Sequence, residues 1–140
     1  MTDKFKIILE YIKDLSVETP DAETLIYVKD NIIKYQMNID ITSKPLKNKM
    51  IEVNTKLTFQ DKDSSKKKSF FEIIYATVIK IDDEIKDKKG MEKIILCDLQ
   101  IKIYTKLERI FLNLIKDSGY PEIKFEKKVD FEKLYNEKFN

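Results

Sequence analysis

The side chains that most often perform catalysis or hold metal ions are scarce in this chain of 140 residues. It contains no histidine, which excludes a histidine-based triad, a histidine metal ligand and a histidine proton relay. Its one cysteine, Cys97, lies in an apolar run and has no histidine base to generate a thiolate. We therefore interpret Cys97 as a small buried hydrophobic residue and expect the protein not to be an enzyme.

Two short charge clusters could in principle bind ions, but each has a simpler interpretation. Asp82, Asp83 and Glu84 lack the spacing and the central glycine of a calcium loop, and lysines surround them. Residues 66–68 are lysines without the interleaved aromatic side chains that a nucleic-acid stacking platform needs. Both clusters are typical of solvated loops. Neither cluster predicts a metal site, and a net charge of only +2 argues against a nucleic-acid partner.

A third group combines carboxylates with an aromatic side chain. Asp14 and Glu18 are four residues apart on a predicted strand, so they share one face of it. Phe70 and Glu72 share a face of another predicted strand in the same way. If these two strands are neighbours, the four side chains form a flat, acidic and partly apolar patch. Taken alone, the spacing is also typical of ordinary surface residues.

Aromatic residues are numerous for a chain without catalytic groups, with seven tyrosines and eight phenylalanines. Most aromatic side chains belong to hydrophobic cores, and spacing does not separate that role from a binding groove. The aromatic residues that we select as candidates for a groove are Tyr27, Tyr35, Phe59, Tyr104, Tyr120 and Phe125.

The first half of the chain has the period of β-strands. From Met50 to Gln60, apolar and polar residues alternate strictly, which is typical of an antiparallel strand with one face on a core. Residues 35–41 alternate in the same way, and residues 5–18 alternate less regularly. In that first strand, the residues expected to share a face are Phe5, Ile7, Leu9 and Tyr11. Residues 70–81 are apolar on both faces at their centre, so this strand needs a second covering surface, such as a partner subunit.

The second half changes to the period of helices. Residues 103–114 carry apolar side chains at steps of three and four, and Gly119 ends this helix. A shorter helix is predicted just before it, within residues 91–99, and a last helix begins after Asp130, a good N-cap. Between the first two strands, residues 19–22 predict a strand break and nothing more.

These periods together predict an α+β protein with a four-stranded antiparallel sheet followed by two or three helices. The length fits one domain over residues 1–140. The first residues lack the apolar stretch of a secretory signal, and no apolar run reaches the roughly 20 residues that span a bilayer. Together with the single cysteine, this predicts a cytoplasmic protein without direct membrane insertion.

Several segments, taken in order, resemble parts of one known protein family. Residues 13–20, Lys-Asp-Leu-Ser-Val-Glu-Thr-Pro, resemble the start of that family's sequences. Residues 70–73, Phe-Phe-Glu-Ile, resemble its fourth strand, and residues 119–123, Gly-Tyr-Pro-Glu-Ile, resemble its Gly-Phe-Pro turn. Residues 129–135 resemble the start of its final helix. The order and spacing match over nearly the whole chain, which makes the set more specific than any single motif. Together these segments resemble the SecB family of protein-export chaperones.

The resemblance implies a SecB-like subunit that assembles as a homotetramer, a dimer of dimers. It implies a chaperone that binds unfolded preproteins and delivers them to the ATPase motor SecA, without catalysis and without a cofactor. The family's SecA-contact positions fall on Asp14, Glu18, Phe70 and Glu72. The client-binding surface that it implies is an apolar groove, for which the candidates are the six aromatic residues selected above.

The chain also departs from the family in places. A tryptophan common in the family is Asn31 here, a proline common at the start of the long helix is Ile103, and the chain is slightly basic where the family is usually acidic. The same fold suits a chaperone dedicated to one partner, such as a toxin–antitoxin system. A structural interaction module that binds no client is the alternative from a different class.

Overall fold

The computed structural model of the protein describes residues 4–61, 68–120 and 129–139. Its strands are β1 (Phe5–Glu18), β2 (Gln36–Pro45), β3 (Met50–Gln60) and β4 (Phe70–Ile81). Its helices are α1 (Ala22–Asn31), α2 (Lys88–Lys93), α3 (Leu99–Asp117) and α4 (Phe131–Phe139), with a 3-10 turn at Ile32–Lys34 and a π-helical turn at Ile94–Asp98. The predicted α+β class is confirmed, with the sheet followed by helices.

The strands form one antiparallel sheet in the order β1-β4-β3-β2. β1 pairs with β4 along its whole length, from Phe5 opposite Ile81 to Glu18 opposite Phe70. β2 and β3 form a hairpin, and the chain reaches the far edge of the sheet through α1 and the 3-10 turn. The first and fourth strands are therefore neighbours, which is the condition that the predicted acidic patch required.

The hydrophobic core lies between the inner face of the sheet and α3. On β4, the side chains of Phe71, Ile73 and Ile79 are completely buried. The α3 residues in the same core are Leu99, Ile103, Leu107, Phe111 and Ile115. Because burial of apolar surface contributes roughly 25 cal/mol per Å², this layer is the main source of stability. The apolar residues that recur with a helical period in the sequence thus form the side of α3 that covers the sheet.

β1 does not keep one alternation along its length. Its register against β4 shifts after Ile7 and again after Ile12, so the strand carries two bulges. Each shift moves the side chains that follow to the other face of the sheet. Phe5 lies on the inner face, whereas Leu9 and Tyr11 lie on the outer face. The prediction that these residues share one face was wrong, because it assumed an unbroken period of two.

The first of these bulges brings a carboxylate of β1 to the inner face. Glu10 accepts a hydrogen bond from the Tyr75 hydroxyl at 2.9 Å and lies 2.8 Å from the Lys106 Nζ on α3. Burial, together with this hydrogen bond, raises the pKa of Tyr75 to about 12. The middle of β1 is therefore linked to α3 by polar contacts as well as by packing.

The segment after β1, predicted as a simple strand break, begins a helix. The Asp21 carboxylate accepts a hydrogen bond from the Thr24 backbone N at 2.8 Å and one from the Thr24 hydroxyl at 2.6 Å. Asp21 is therefore the N-cap of α1. The buried residues of this helix are Thr24 and Val28, so its apolar side is too narrow to give a clear helical period.

The two helices predicted around residue 100 are one continuous element. α2, the π-helical turn and α3 follow one another without a break over residues 88–117. Just after the π-helical turn, the buried Gln100 donates to the Ile95 carbonyl at 3.1 Å and accepts from the Thr55 hydroxyl on β3 at 3.1 Å. A buried amide needs such partners, because desolvation without hydrogen bonds is costly.

Two predicted helix signals are confirmed. Gly119 follows α3 with a φ of 96°, a left-handed conformation that glycine adopts without a Cβ clash. α4 begins after Asp130, whose carboxylate accepts a hydrogen bond from the Lys133 backbone N at 3.0 Å. Within residues 4–61, 68–120 and 129–139, no helix combines the length and the apolarity needed to cross a bilayer.

Candidate functional site

The four residues of the predicted acidic patch lie on the outer face of the sheet, which is turned away from α3. Glu18 on β1 is directly opposite Phe70 on β4. Glu72 is opposite the residue midway between Asp14 and Glu18. Opposed residues of an antiparallel pair project to the same face with Cβ atoms about 5 Å apart. We call the surface formed by Asp14, Glu18, Phe70 and Glu72 the docking patch.

The carboxylates of the docking patch differ in their surroundings. Asp14 and Glu18 are exposed on the edge strand, and Asp14 accepts a hydrogen bond from the Ser16 hydroxyl at 3.0 Å. Among the described residues, neither of these two carboxylates forms an ion pair. The Glu72 Oε1, in contrast, lies 3.1 Å from the Lys56 Nζ on β3. The docking patch thus contains two open carboxylates and one that is already paired.

A mixed-charge region borders the docking patch on the same face. The Glu52 carboxylate accepts a hydrogen bond from the Tyr11 hydroxyl at 2.6 Å and lies 3.4 Å from the Lys13 Nζ. The hydrogen bond from Tyr11 lowers the pKa of Glu52, and the same bond raises the pKa of Tyr11. In the part of the chain that is described, no three His, Cys, Asp or Glu side chains converge as metal ligands would.

A buried cluster of hydroxyl groups lies beside the docking patch, and we call Thr19, Tyr35, Ser69 and Tyr120 the hydroxyl cluster. The Tyr35 hydroxyl accepts from the Ser69 backbone N at 2.9 Å and donates to the Ser69 carbonyl at 3.1 Å. The Tyr120 hydroxyl bonds to the hydroxyls of both Ser69 and Thr19. Burial raises the pKa of Tyr35 to about 12, so its hydroxyl stays protonated. The cluster ties the ends of β1 and β4 to the segment after α3.

Three of the six aromatic residues predicted for a groove are buried. Tyr35, Phe59 and Tyr120 are 7%, 3% and 4% exposed. The Phe59 ring centroid lies 5.2 Å from that of Tyr35 and 5.0 Å from that of Phe111. These side chains form part of the core, so they offer little surface to a bound chain in this conformation.

The other three candidates have different surroundings. Tyr27 is partly buried and packs against the core, and Phe125 lies outside the described residues. Tyr104 is partly buried, and its ring packs edge-on to that of Phe131 at a centroid distance of 5.3 Å. Burial raises the pKa of Tyr104 to about 12. Through Phe131, Tyr104 contacts the lining of an open groove.

That groove lies between β2, the π-helical turn and α4 and has a volume of about 380 Å³. Its lining residues are Ile39, Asp40, Ile41, Leu96, Phe131, Leu134, Tyr135 and Glu137. Leu134 is half exposed within it. We call this feature the α4 groove. The sequence indicates its apolar residues on α4 but not their approach to β2, which depends on how the helix packs.

The edge of the sheet formed by β1 is unusually apolar. Its exposed large side chains are Ile8, Leu9, Tyr11, Ile12 and Leu15, each between 40% and 48% exposed. β1 pairs on one side with β4, and no described strand pairs with its other side. An exposed, apolar edge of this length is a surface on which another chain can pack.

Comparisons with known proteins agree with this fold. The model of the SecB family, described as preprotein translocase subunit SecB, matches residues 1–140. A candidate protein-export protein SecB of Pelagibacter ubique (strain HTCC1062) is 59% identical over 140 residues, covering 100% of both chains. The protein-export protein SecB of Parvibaculum lavamentivorans (strain DS-1) is 22% identical, covering 96% of this chain and 79% of that protein.

A solved structure shows the same fold at low sequence identity. The Mycobacterium tuberculosis Rv1957 SecB-like chaperone, in complex with a ChAD peptide from the Rv1956 HigA1 antitoxin, matches with a TM-score of 0.66. It is 10% identical, and the match covers 90% of this chain and 88% of that one. The chain therefore belongs to the SecB family, which consists of protein-export chaperones and not of enzymes.

Proposed function

We propose that this protein holds unfolded preproteins in the cytoplasm and delivers them to the SecA motor through the docking patch. The supporting observation is that Asp14, Glu18, Phe70 and Glu72 form one surface on two paired strands. The resemblance assigns these same four positions to SecA contact. A flat acidic surface around one aromatic side chain suits a basic protein surface, because complementary charges speed encounter and fix orientation.

We propose the α4 groove as the place where an unfolded client binds. Its lining is mostly apolar, and β2 beside it is an edge strand of the sheet. An extended client segment can place apolar side chains in the groove while its backbone lies along the edge. The peptide complex of the Mycobacterium tuberculosis SecB-like chaperone supports a peptide as the occupant.

One groove of this size would hold a client weakly. Burial contributes roughly 25 cal/mol per Å², and ordering the flexible client opposes it. Several grooves that act on one client raise the effective concentration of each further contact. We therefore propose a homotetramer, a dimer of dimers, in which the apolar edge of β1 is covered by another subunit.

Replacing Leu134 with aspartate should weaken client binding by about ten-fold, because a charge in the α4 groove opposes burial of an apolar segment. Leu134 is half exposed, so the fold should tolerate the change. The matched control is Ile26→Asp, which places the same charge on an exposed apolar position of α1. Fluorescence titration with a labelled unfolded protein measures both. Equal affinities for the two variants would contradict the proposed groove.

The function itself is tested by native mass measurement of the full chain alone, with an unfolded preprotein, and with SecA. We expect a tetramer that binds the preprotein and, separately, SecA. A monomer that ignores both would refute the proposed function. The control is a folded protein of the same size as the preprotein, which should not bind.

A second candidate is a chaperone dedicated to one partner. The observation that favours it is the antitoxin peptide held by the Mycobacterium tuberculosis SecB-like chaperone. A chain that suppresses aggregation of one toxin–antitoxin component, ignores other unfolded proteins and does not bind SecA would support this candidate over general export.

A further inference from the structure

Lys56 lies at the centre of the outer sheet face, between the docking patch and β2. Its Nζ is 3.1 Å from the Glu72 Oε1, and its side chain is 45% exposed. In the register of the sheet, Lys56 is directly opposite Asp40 on β2 and directly opposite Ile74 on β4. Lys56 therefore has one acidic residue within ion-pair distance and another as its direct cross-strand neighbour.

The ion pair makes Glu72 different from the other docking carboxylates. Its side chain is 18% exposed, and a partner's cation must approach it where Lys56 already sits. Asp14 and Glu18 have no such competitor among the described residues. A basic partner can thus bind Asp14 and Glu18 directly, but it must exchange with Lys56 to bind Glu72.

We propose that Lys56 is an exchangeable counterion that restrains docking at Glu72, and that Asp40 accepts Lys56 when a partner displaces it. This inference rests on the proposed docking patch. It assigns Lys56 a role in specificity: only a partner whose cation outcompetes an ammonium group gains the Glu72 contact. Arginine suits that task, because its planar guanidinium binds a carboxylate through two parallel hydrogen bonds.

Asp40 lowers the cost of the exchange. Without a new partner, the displaced ammonium group of Lys56 would be solvated by water alone. A carboxylate on the neighbouring strand can replace the lost ion pair. Because Asp40 and Lys56 face each other across the β2–β3 pair, a rotation of the lysine side chain is sufficient. No movement of the backbone is required.

The test measures SecA affinity by titration calorimetry with the full chain. Lys56→Met keeps the apolar stem and removes the charge, and it should tighten binding about three- to five-fold. The matched control is Lys80→Met, which makes the same change on the outer sheet face but at the end of β4 that is far from Glu72. The control should tighten binding by less than two-fold, through general electrostatics alone.

Two further variants separate competition from general charge effects. Glu72→Gln should weaken SecA binding more in the Lys56→Met background than in the wild type, because Glu72 is then free. Asp40→Asn should weaken binding in the wild type and have a smaller effect in the Lys56→Met background. Weaker binding by Lys56→Met, or an effect equal to that of Lys80→Met, would overturn the inference.

The outcome also distinguishes this inference from the docking patch itself. If charge reversal at Asp14 and Glu18 abolishes SecA binding while Lys56→Met leaves the affinity unchanged, the docking patch stands and the role of Lys56 is refuted. If neither change affects the affinity, the docking patch is refuted, and the role of Lys56 with it.

Discussion

Reversing both open carboxylates of the docking patch, Asp14→Lys with Glu18→Lys, should lower SecA affinity by about 100-fold or more at low salt. Each reversal removes an attraction to a basic partner and adds a repulsion, and opposed like charges at an interface cost several kcal/mol. The two residues are exposed on β1 and form no ion pair within the described part of the chain. The fold should therefore change in stability by only about 0.5 kcal/mol.

A matched control separates a specific site from a change in net charge. Asp30→Lys with Asp117→Lys adds the same positive charge at exposed positions in the last turns of α1 and α3. Lysine suits those positions, because the C-terminal end of a helix favours cations. Titration calorimetry should show normal SecA affinity for this control and normal client affinity for both double variants. A reversed docking patch that still binds SecA at wild-type affinity would refute the assignment.

Phe59→Ala should lower the free energy of unfolding by about 3–5 kcal/mol, a large part of the stability of a domain of this size. Phe59 is 3% exposed and packs against the rings of Tyr35, Phe71 and Phe111. Truncation removes aromatic contacts on three sides and leaves a cavity that the sheet cannot close. Urea unfolding at one fixed protein concentration measures the loss, since association in the proposed homotetramer would add to the measured stability.

This substitution also tests whether Phe59 acts in the core or in a client groove. If Phe59 acts in the core, Phe59→Ala should cause a large loss of stability. Phe59→Leu, which keeps most of the side-chain volume, should then cause a smaller loss of about 1 kcal/mol. If Phe59 instead lines a client groove, Phe59→Ala should weaken client binding and leave the stability normal. The second result would mean that the aromatic core around Phe59, which is closed in the structure, opens to bind a client.

The strands were predictable to the extent that their residues alternate without interruption. β3 has one polar and one apolar face over residues 50–60, and β4 has apolar residues on both faces at its centre, so their bounds agree with the structure. The inward-facing residues of β1 were harder to predict, because two bulges change which residues face the core and leave apolar side chains on both faces. Where the residues before and after a bulge are apolar, the sequence pattern does not reveal the bulge.

The candidate sites were predictable to different degrees for a similar reason. The docking patch needed only that β1 and β4 be neighbours, since strand periodicity determines which residues share a face. The α4 groove depends on α4 packing against β2, although the two elements are far apart in the sequence, and no local pattern reveals that contact. α1 was missed because its buried side consists of Thr24 and Val28, too few for a period.

The hydroxyl cluster has a consequence for hydrogen exchange. The Ser69 amide precedes β4 and is outside the sheet ladder, yet it is completely buried and donates to the Tyr35 hydroxyl. Deuterium can replace its proton only when that contact opens, and the Tyr120 and Thr19 hydroxyls hold the same residue in place. One slowly exchanging amide therefore reports whether the strand ends beside the docking patch and the segment after α3 are still joined.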